Sequence, residues 1–135
     1  MMTAKKLPPV KDWRARKVEN WTVATFQAYR TDRHAELFKV PYSPMMSWAI
    51  ENRHVKRVLD EHGPHVLKRW IDLSFESYKP RPQYLGIDFG FMMKFRSNLL
   101  QQAVAEQNKA QKSADDIDER IRKMEALSDD DLDWI

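Results

Sequence analysis

The sequence predicts an all-α protein, a small bundle of four to five helices. Amphipathic patterns of helical period recur along the chain. The chain lacks the runs of alternating apolar and polar residues that are typical of strands. The 135 residues include only three glycines, and 42% of them are hydrophobic, which is enough for the core of one ordinary domain.

The predicted centre of the fold is residues 55–78, where two helical patterns meet at Gly63 and Pro64. Glycine readily ends a helix, and proline is favoured in the first turn of the next. The residues that recur at helical spacing are Trp48, Val55, Val58, Leu59 and His62 before the junction, and Leu67, Trp70, Ile71, Ser74, Phe75 and Tyr78 after it. We expect these two stripes to face each other or a common core, with Trp70 and Phe75 buried.

Capping residues and prolines place the other helices. Asn20 is the expected N-cap of a first helix, which ends near Phe38 and carries Val23, Phe26, Tyr29 and Leu37 on one side. Ser43 and Pro44 are expected to start a second helix over residues 45–62, and the third covers residues 64–78. Prolines then end the third helix, and the loop that contains Ile87 and Phe89 is expected to pack on the body.

A fourth helix is predicted over residues 91–112, with Met92, Phe95, Leu99 and Ala103 on its apolar stripe. Ser113 is the expected cap of a last helix. Its narrow stripe of Ile117, Ile121, Met124 and Leu127 suits one neighbour or a coiled-coil partner. The predicted organisation is a flexible basic arm over residues 1–20, a helical body over 21–112, a C-terminal helix over 113–127 and an acidic-hydrophobic docking tail over 128–135.

The net charge of +3 conceals an asymmetry between the two ends of the chain. Residues 1–100 hold 18 Lys and Arg against 10 Asp and Glu, whereas residues 101–135 hold 5 against 10. A basic body with an acidic end indicates contact with a polyanion through one part and with a protein through the other. The alternative is a solvated surface with uneven charge.

Several classes of site are disfavoured. The chain has no cysteine, which excludes disulfides, thiol catalysis and Cys-ligated zinc. His62 and His65 have the spacing of metal ligands but stand on either side of the helix junction, and the Asp-rich segments lack the mid-loop glycine of a calcium loop. No phosphate loop or nucleophile motif is present. We therefore expect no enzyme activity, no cofactor and no metal.

Five cations on the outer faces of the central helices are the predicted nucleic-acid-binding residues: Arg53, Lys56, Arg57, Lys68 and Arg69. Phosphate contacts require only charge and reach, whereas base reading in a major groove requires polar side chains that the third helix scarcely offers. The expected binding is therefore largely independent of base sequence. The alternative is an ordinary helical hairpin with solvated charges.

The C-terminal residues predict a docking peptide: Asp131, Leu132, Asp133, Trp134 and Ile135. Aspartates keep such a segment extended in water, whereas Leu132, Trp134 and Ile135 are costly to expose unless a partner receives them. The alternative is that Trp134 folds back on the body.

Two stretches of the chain resemble known families. Phe26 and Tyr29, the segments HVKRVLDEHG and VLKRWIDLSF, and the loop before FMMKF make residues 21–100 similar to small helical modules of bacteriophage replication-accessory proteins, including helicase loaders and replication initiators. The terminal LDWI resembles the peptides with which phage late-transcription coactivators and late sigma-type factors bind the sliding clamp, and it also resembles the acidic tip of bacterial single-stranded-DNA-binding proteins. Trp134 stands where the phage peptides commonly have Phe.

These resemblances imply an adaptor of phage DNA replication, with a body that contacts DNA and a tail that docks on a sliding clamp or another replication or transcription protein. Two alternatives stay open. One is a late-transcription coactivator that binds RNA polymerase and the clamp, and the other is a protein-only interaction or inhibitory module. No segment has the composition of a signal peptide or a membrane span, so the expected location is the cytoplasm, that of the host if the protein is viral.

Overall fold

A computed structural model describes the backbone of residues 6–132 and the side chains of residues 6–127. Over this range the chain forms five α-helices and no β-strand, so the predicted all-α class is confirmed. The helices are α1 (Val23–Phe38), α2 (Trp48–His62), α3 (Pro64–Ser77), α4 (Phe89–Phe95) and α5 (Ser97–Leu132), and a short 3-10 helix (Val18–Asn20) precedes α1.

The corner between α2 and α3 has the predicted form. Gly63 has a φ of 86°, a value that residues with a side chain rarely adopt, and Pro64 is the first residue of α3. The Gly63 amide donates to the carbonyl of Leu59 at 2.8 Å and so closes the end of α2. The two helices pack directly on each other.

The core lies among α1, α2, α3, α4 and the first turns of α5. Trp70 is 1% exposed and Phe75 is 2% exposed, which confirms both as core residues. The other buried hydrophobic residues are Trp21, Phe26, Tyr29, Tyr42, Val55, Val58, Val66, Leu67, Ile71, Tyr78, Ile87, Phe89, Met92 and Ala103. Two expected members of the apolar stripes, Leu37 and Phe95, are exposed. At the end of α1, Phe38 instead fills the space next to Phe75 and Tyr78.

The prediction of a flexible arm over residues 1–20 extends too far along the chain. Trp13 packs edge-on against Tyr29 with 4.8 Å between ring centroids, and its indole nitrogen donates to Asp32 at 2.8 Å. Arg14 forms an ion pair with Glu36. These contacts attach the segment to α1, and residues 1–5 lie outside the described part of the chain.

Two helices begin later than predicted. Thr22, not Asn20, caps α1, because burial of Trp21 and its hydrogen bond to the carbonyl of Arg16 hold Asn20 in the preceding 3-10 turn. Ser47, not Ser43, caps α2, and its hydroxyl accepts from the amide of Ile50 at 3.2 Å. Met46, with a φ of 59°, keeps the intervening segment out of the helix.

The predicted fourth and last helices divide at a different place. The backbone breaks at Arg96, whose carbonyl accepts a hydrogen bond from the indole of Trp70 at 2.8 Å, and α5 then continues through Ser113. The prediction of a helix start at Ser113 was wrong because Ser113 follows a run of strong helix formers with no glycine or proline to end it. The backbone stays helical to Leu132, so the extended tail predicted from residue 128 is helical at its start; residues 133–135 lie outside the described range.

The chain divides into two compact units, residues 1–104 and residues 105–135. The first contains the hydrophobic core. In the second, the stripe of Ile117, Ile121, Met124 and Leu127 is 48–67% exposed. A neighbour for this stripe stays a prediction.

Replacing Trp70 with alanine will lower the free energy of unfolding by about 3–5 kcal/mol, because it removes a buried indole and leaves a cavity between helices. Chemical denaturation monitored by circular dichroism measures the change. Leu85→Ala is the control, since Leu85 is 50% exposed and its truncation should have little effect. An unchanged stability of Trp70→Ala would contradict the burial of Trp70 between α3 and α4.

Candidate nucleic-acid interface

Three of the five predicted cations lie together on the solvent face of α2. Arg53, Lys56 and Arg57 are exposed, and the last two follow Arg53 by three and four residues, so all three share one side of the helix. Lys56 forms an ion pair with Asp60 at 2.7 Å. Within the part of the chain that the structure describes, Arg53 and Arg57 form no ion pair. Their charges are therefore available to an anionic ligand.

The two predicted cations on α3 lie in different surroundings. Lys68 is half-buried, forms an ion pair with Asp72 at 2.7 Å, and has its ammonium 5.2 Å from the ring centroid of Tyr29. The hydroxyl of Tyr29 donates to the same carboxylate, and burial together with Asp72 raises the pKa of Tyr29. The charge of Lys68 is thus already neutralised within the fold. Arg69 lies on the exposed face of α3.

A buried polar network holds the inner face of α2. Arg30 and Glu51 have no exposed side-chain surface and are joined by an ion pair at 2.9 Å. The other carboxylate oxygen of Glu51 accepts from the hydroxyl of Tyr42 at 2.7 Å and from the amides of Met45 and Phe89 at 3.1 and 3.2 Å. Glu51 therefore joins α1, α2, the segment before α2 and the start of α4.

His34 attaches the long loop between α3 and α4 to the body. Its Nδ1 lies 3.0 Å from the carbonyl of Val40, and its Nε2 accepts from the amide of Ile87 at 3.2 Å, which requires the neutral ring with a proton on Nδ1. Gly86 lies against the ring, where a Cβ would come within 2.2 Å of it. Burial lowers the pKa of His34.

Residues of the loop and of α4 line an open groove of about 810 Å³, here called the aromatic groove. Its aromatic lining includes Tyr84, Phe91 and Phe95, and its charged lining comprises Lys79, Arg81, Arg96 and Asp88. Tyr84 and Phe95 are 67% and 54% exposed, and the described residues offer no ion pair to the three cations. The groove therefore combines uncompensated positive charge with accessible rings.

Sequence reasoning placed the apolar loop on the body, and the burial of Ile87 and Phe89 confirms this. It did not identify the aromatic groove. The available signal was the alternation of cations, prolines and an aromatic residue in KPRPQY, a composition typical of contact with unpaired nucleic acid. Only the tertiary structure brings Phe95 and Arg96 to the same place as this segment.

The histidine pair was disfavoured as a metal site, and the docking tail is the second predicted binding site. His62 and His65 each lie 3.8 Å from a different carboxylate, and residues 6–127 hold no group of three His, Asp or Glu side chains arranged for a metal ion. In the docking tail, Asp131 and Leu132 end α5, and Asp133, Trp134 and Ile135 lie beyond the described residues.

Comparison with protein-family models, with curated proteins and with solved structures found no match to this chain. Within residues 6–132, every helix is too short or too polar to cross a membrane.

Acidification will destabilise the fold through His34. Its pKa is lowered in the folded state, so the group contributes nothing to the pH dependence above about 6.5, the value of an unperturbed histidine. Below about 6.5 the unfolded chain binds a proton that the folded chain excludes, so stability falls until the pH reaches the lowered pKa. Urea denaturation from pH 7.5 to 5 measures this slope, which His34→Gln should reduce and which the exposed control His65→Gln should keep. Equal slopes in both variants would contradict the role of His34.

Proposed function

We propose that this protein is a non-enzymatic, phage-type adaptor of DNA replication that binds nucleic acid through its basic helical body and docks on a partner such as a sliding clamp through its C-terminal residues. The proposal of nucleic-acid binding rests on Arg53 and Arg57. Both are exposed on one face of α2, and neither forms an ion pair with a described residue. Such cations release counterions when they contact phosphates, which favours binding at low salt.

Largely sequence-independent binding agrees with the chemistry of this surface. Lysine and arginine contacts to phosphates position a protein on nucleic acid without reading its bases. The packing of Leu67, Trp70 and Ile71 in the core leaves α3 only a narrow polar face. A recognition helix needs several polar side chains that reach base edges, and α3 supplies few.

The docking proposal rests on composition. Leu132, Trp134 and Ile135 follow or alternate with aspartates, so a basic rim around an apolar pocket is the complementary surface. Tethering this segment to a nucleic-acid-binding body raises the effective concentration of the docked partner at the bound strand.

The same segment supports the alternative of a late-transcription coactivator, in which RNA polymerase joins the clamp as a partner. The exposed stripe on α5 supports the other alternative, a protein-only module.

Reversing the charge of Arg53 and Arg57 together will flatten the salt dependence of nucleic-acid binding. Each phosphate that the protein no longer neutralises should reduce the slope of log affinity against log salt by about 0.9 on duplex DNA, so two phosphates give about 1.8. Fluorescence anisotropy of labelled DNA over a salt series measures the slope.

The matched control for this experiment is Arg120→Glu with Arg122→Glu, which makes the same charge change on exposed residues of α5. A slope that falls equally in the control would assign binding to net charge alone. No binding of the unmodified protein to DNA or RNA at low salt would favour the protein-only module.

Removing residues 132–135 will abolish docking on a sliding clamp and preserve both the helical content and the nucleic-acid binding of the body. The expected affinity of the intact segment is about micromolar, since burial of three large apolar side chains is offset by the cost of ordering the chain. Calorimetric titration of the purified clamp of the native host measures it.

Two double variants separate the contributions to docking. Leu132→Ser with Trp134→Ser should abolish binding, whereas Asp129→Asn with Asp130→Asn should weaken it and reduce its salt dependence. If the truncated chain unfolds, Trp134 is part of the core and the docking proposal is wrong.

A further inference from the structure

We propose that the aromatic groove binds a short stretch of single-stranded nucleic acid, with bases stacked on Tyr84 and Phe95 and phosphates near the surrounding cations. This inference rests on the proposed function and specifies the form of nucleic acid that the body prefers. It also assigns binding residues that lie outside the cation set on α2 and α3.

The first wall of the groove presents Tyr84 on a rigid turn. Arg81 and Tyr84 exchange two backbone hydrogen bonds, of 3.0 and 2.9 Å, around Pro82. The hydroxyl of Tyr78 donates to the carbonyl of Tyr84 at 2.5 Å. The backbone of Tyr84 is thus held at three points while its ring is 67% exposed and has no described aromatic neighbour. A base can therefore stack on this ring without a change in the backbone that supports it.

The second wall is α4, which begins where Asp88 accepts a hydrogen bond from the amide of Phe91 at 2.8 Å. Phe91 packs edge-on against Tyr78 and lies 5.0 Å from Phe95, centroid to centroid. This packing supports Phe95, which remains 54% exposed. The two walls therefore each offer one accessible ring on a fixed backbone.

The charges of the groove favour an anionic ligand. Lys79, Arg81 and Arg96 line it, and Asp88, which caps α4, is the only carboxylate among its described lining residues. The guanidinium carbon of Arg96 lies 5.0 Å from the ring centroid of Phe91, the ring that packs against Phe95. Aromatic rings for the bases and cations for the phosphates are the two features by which proteins bind a single strand.

An unpaired strand fits this surface better than a duplex. Aromatic side chains stack on bases whose faces are free, and in a double helix those faces are covered by neighbouring base pairs. An acidic peptide with apolar residues is also negatively charged, but its binding does not require two exposed aromatic rings. Such a peptide is the competing ligand in the experiment.

The test is fluorescence anisotropy at low salt with three labelled probes: a 12-nucleotide oligothymidine, a 12-base-pair duplex, and a peptide of residues 129–135. The full-length protein should bind the oligothymidine more tightly than the duplex. Tyr84→Ala and Phe95→Ala should each weaken oligothymidine binding by about tenfold and affect duplex binding much less. Tyr84→Phe should retain binding, because the ring is kept.

Leu85→Ala is the matched control, since Leu85 is the exposed neighbour of Tyr84 and does not line the groove. Thermal melting checks that each variant is folded. If both ring variants bind oligothymidine normally while Arg53→Glu with Arg57→Glu does not, the groove proposal is wrong and the proposed function stands. Tighter binding of the peptide than of oligothymidine, lost in the ring variants, also overturns it. If the unmodified protein binds neither nucleic acid, both proposals fail.

Discussion

The buried ion pair between Arg30 and Glu51 is the interaction on which most of the described fold depends. A carboxylate without exposed surface is costly unless hydrogen bonds and an opposite charge surround it, and Glu51 has both. The guanidinium of Arg30 also lies within 5.9 Å of the ring centroids of Tyr42, Trp48 and Phe89, which offset part of its desolvation. Removal of one partner from such a pair typically costs about 3–5 kcal/mol. The pair thus specifies how α1, α2 and α4 are arranged.

This buried pair also determines which residues of α2 face the solvent. Successive residues of an α-helix are rotated by about 100°, so the inward position of Glu51 and Val55 places Arg53 and Arg57 on the opposite side. A cation on the inner face would compete with Arg30 for the same carboxylate. The exposed basic face is therefore a consequence of the internal charge arrangement as well as of composition.

The long loop between α3 and α4 is ordered by one contact that crosses the fold and one that lies within the loop. The ring of His34, on α1, accepts a hydrogen bond from the amide of Ile87, and within the loop Tyr78 donates to the carbonyl of Tyr84. These contacts give an irregular segment a defined shape, which is what a binding loop requires. The contact between His34 and Ile87 requires the neutral ring, because Nε2 is the acceptor.

The sequence by itself determined the helical class, the corner at Gly63, and the burial of Trp70 and Phe75, because these follow from periodicity and local backbone preference. It also located the charge asymmetry, which is a property of composition. Only the tertiary structure decided where α1, α2 and α5 begin, which cations are already paired, and how the groove is assembled. The reason is distance along the chain: the amide of Ile87 meets a histidine 53 residues away, and that of Phe89 meets a glutamate 38 residues away. Local sequence patterns contain no information about such pairs. The residues of the aromatic groove are brought together only by the packing of the helices.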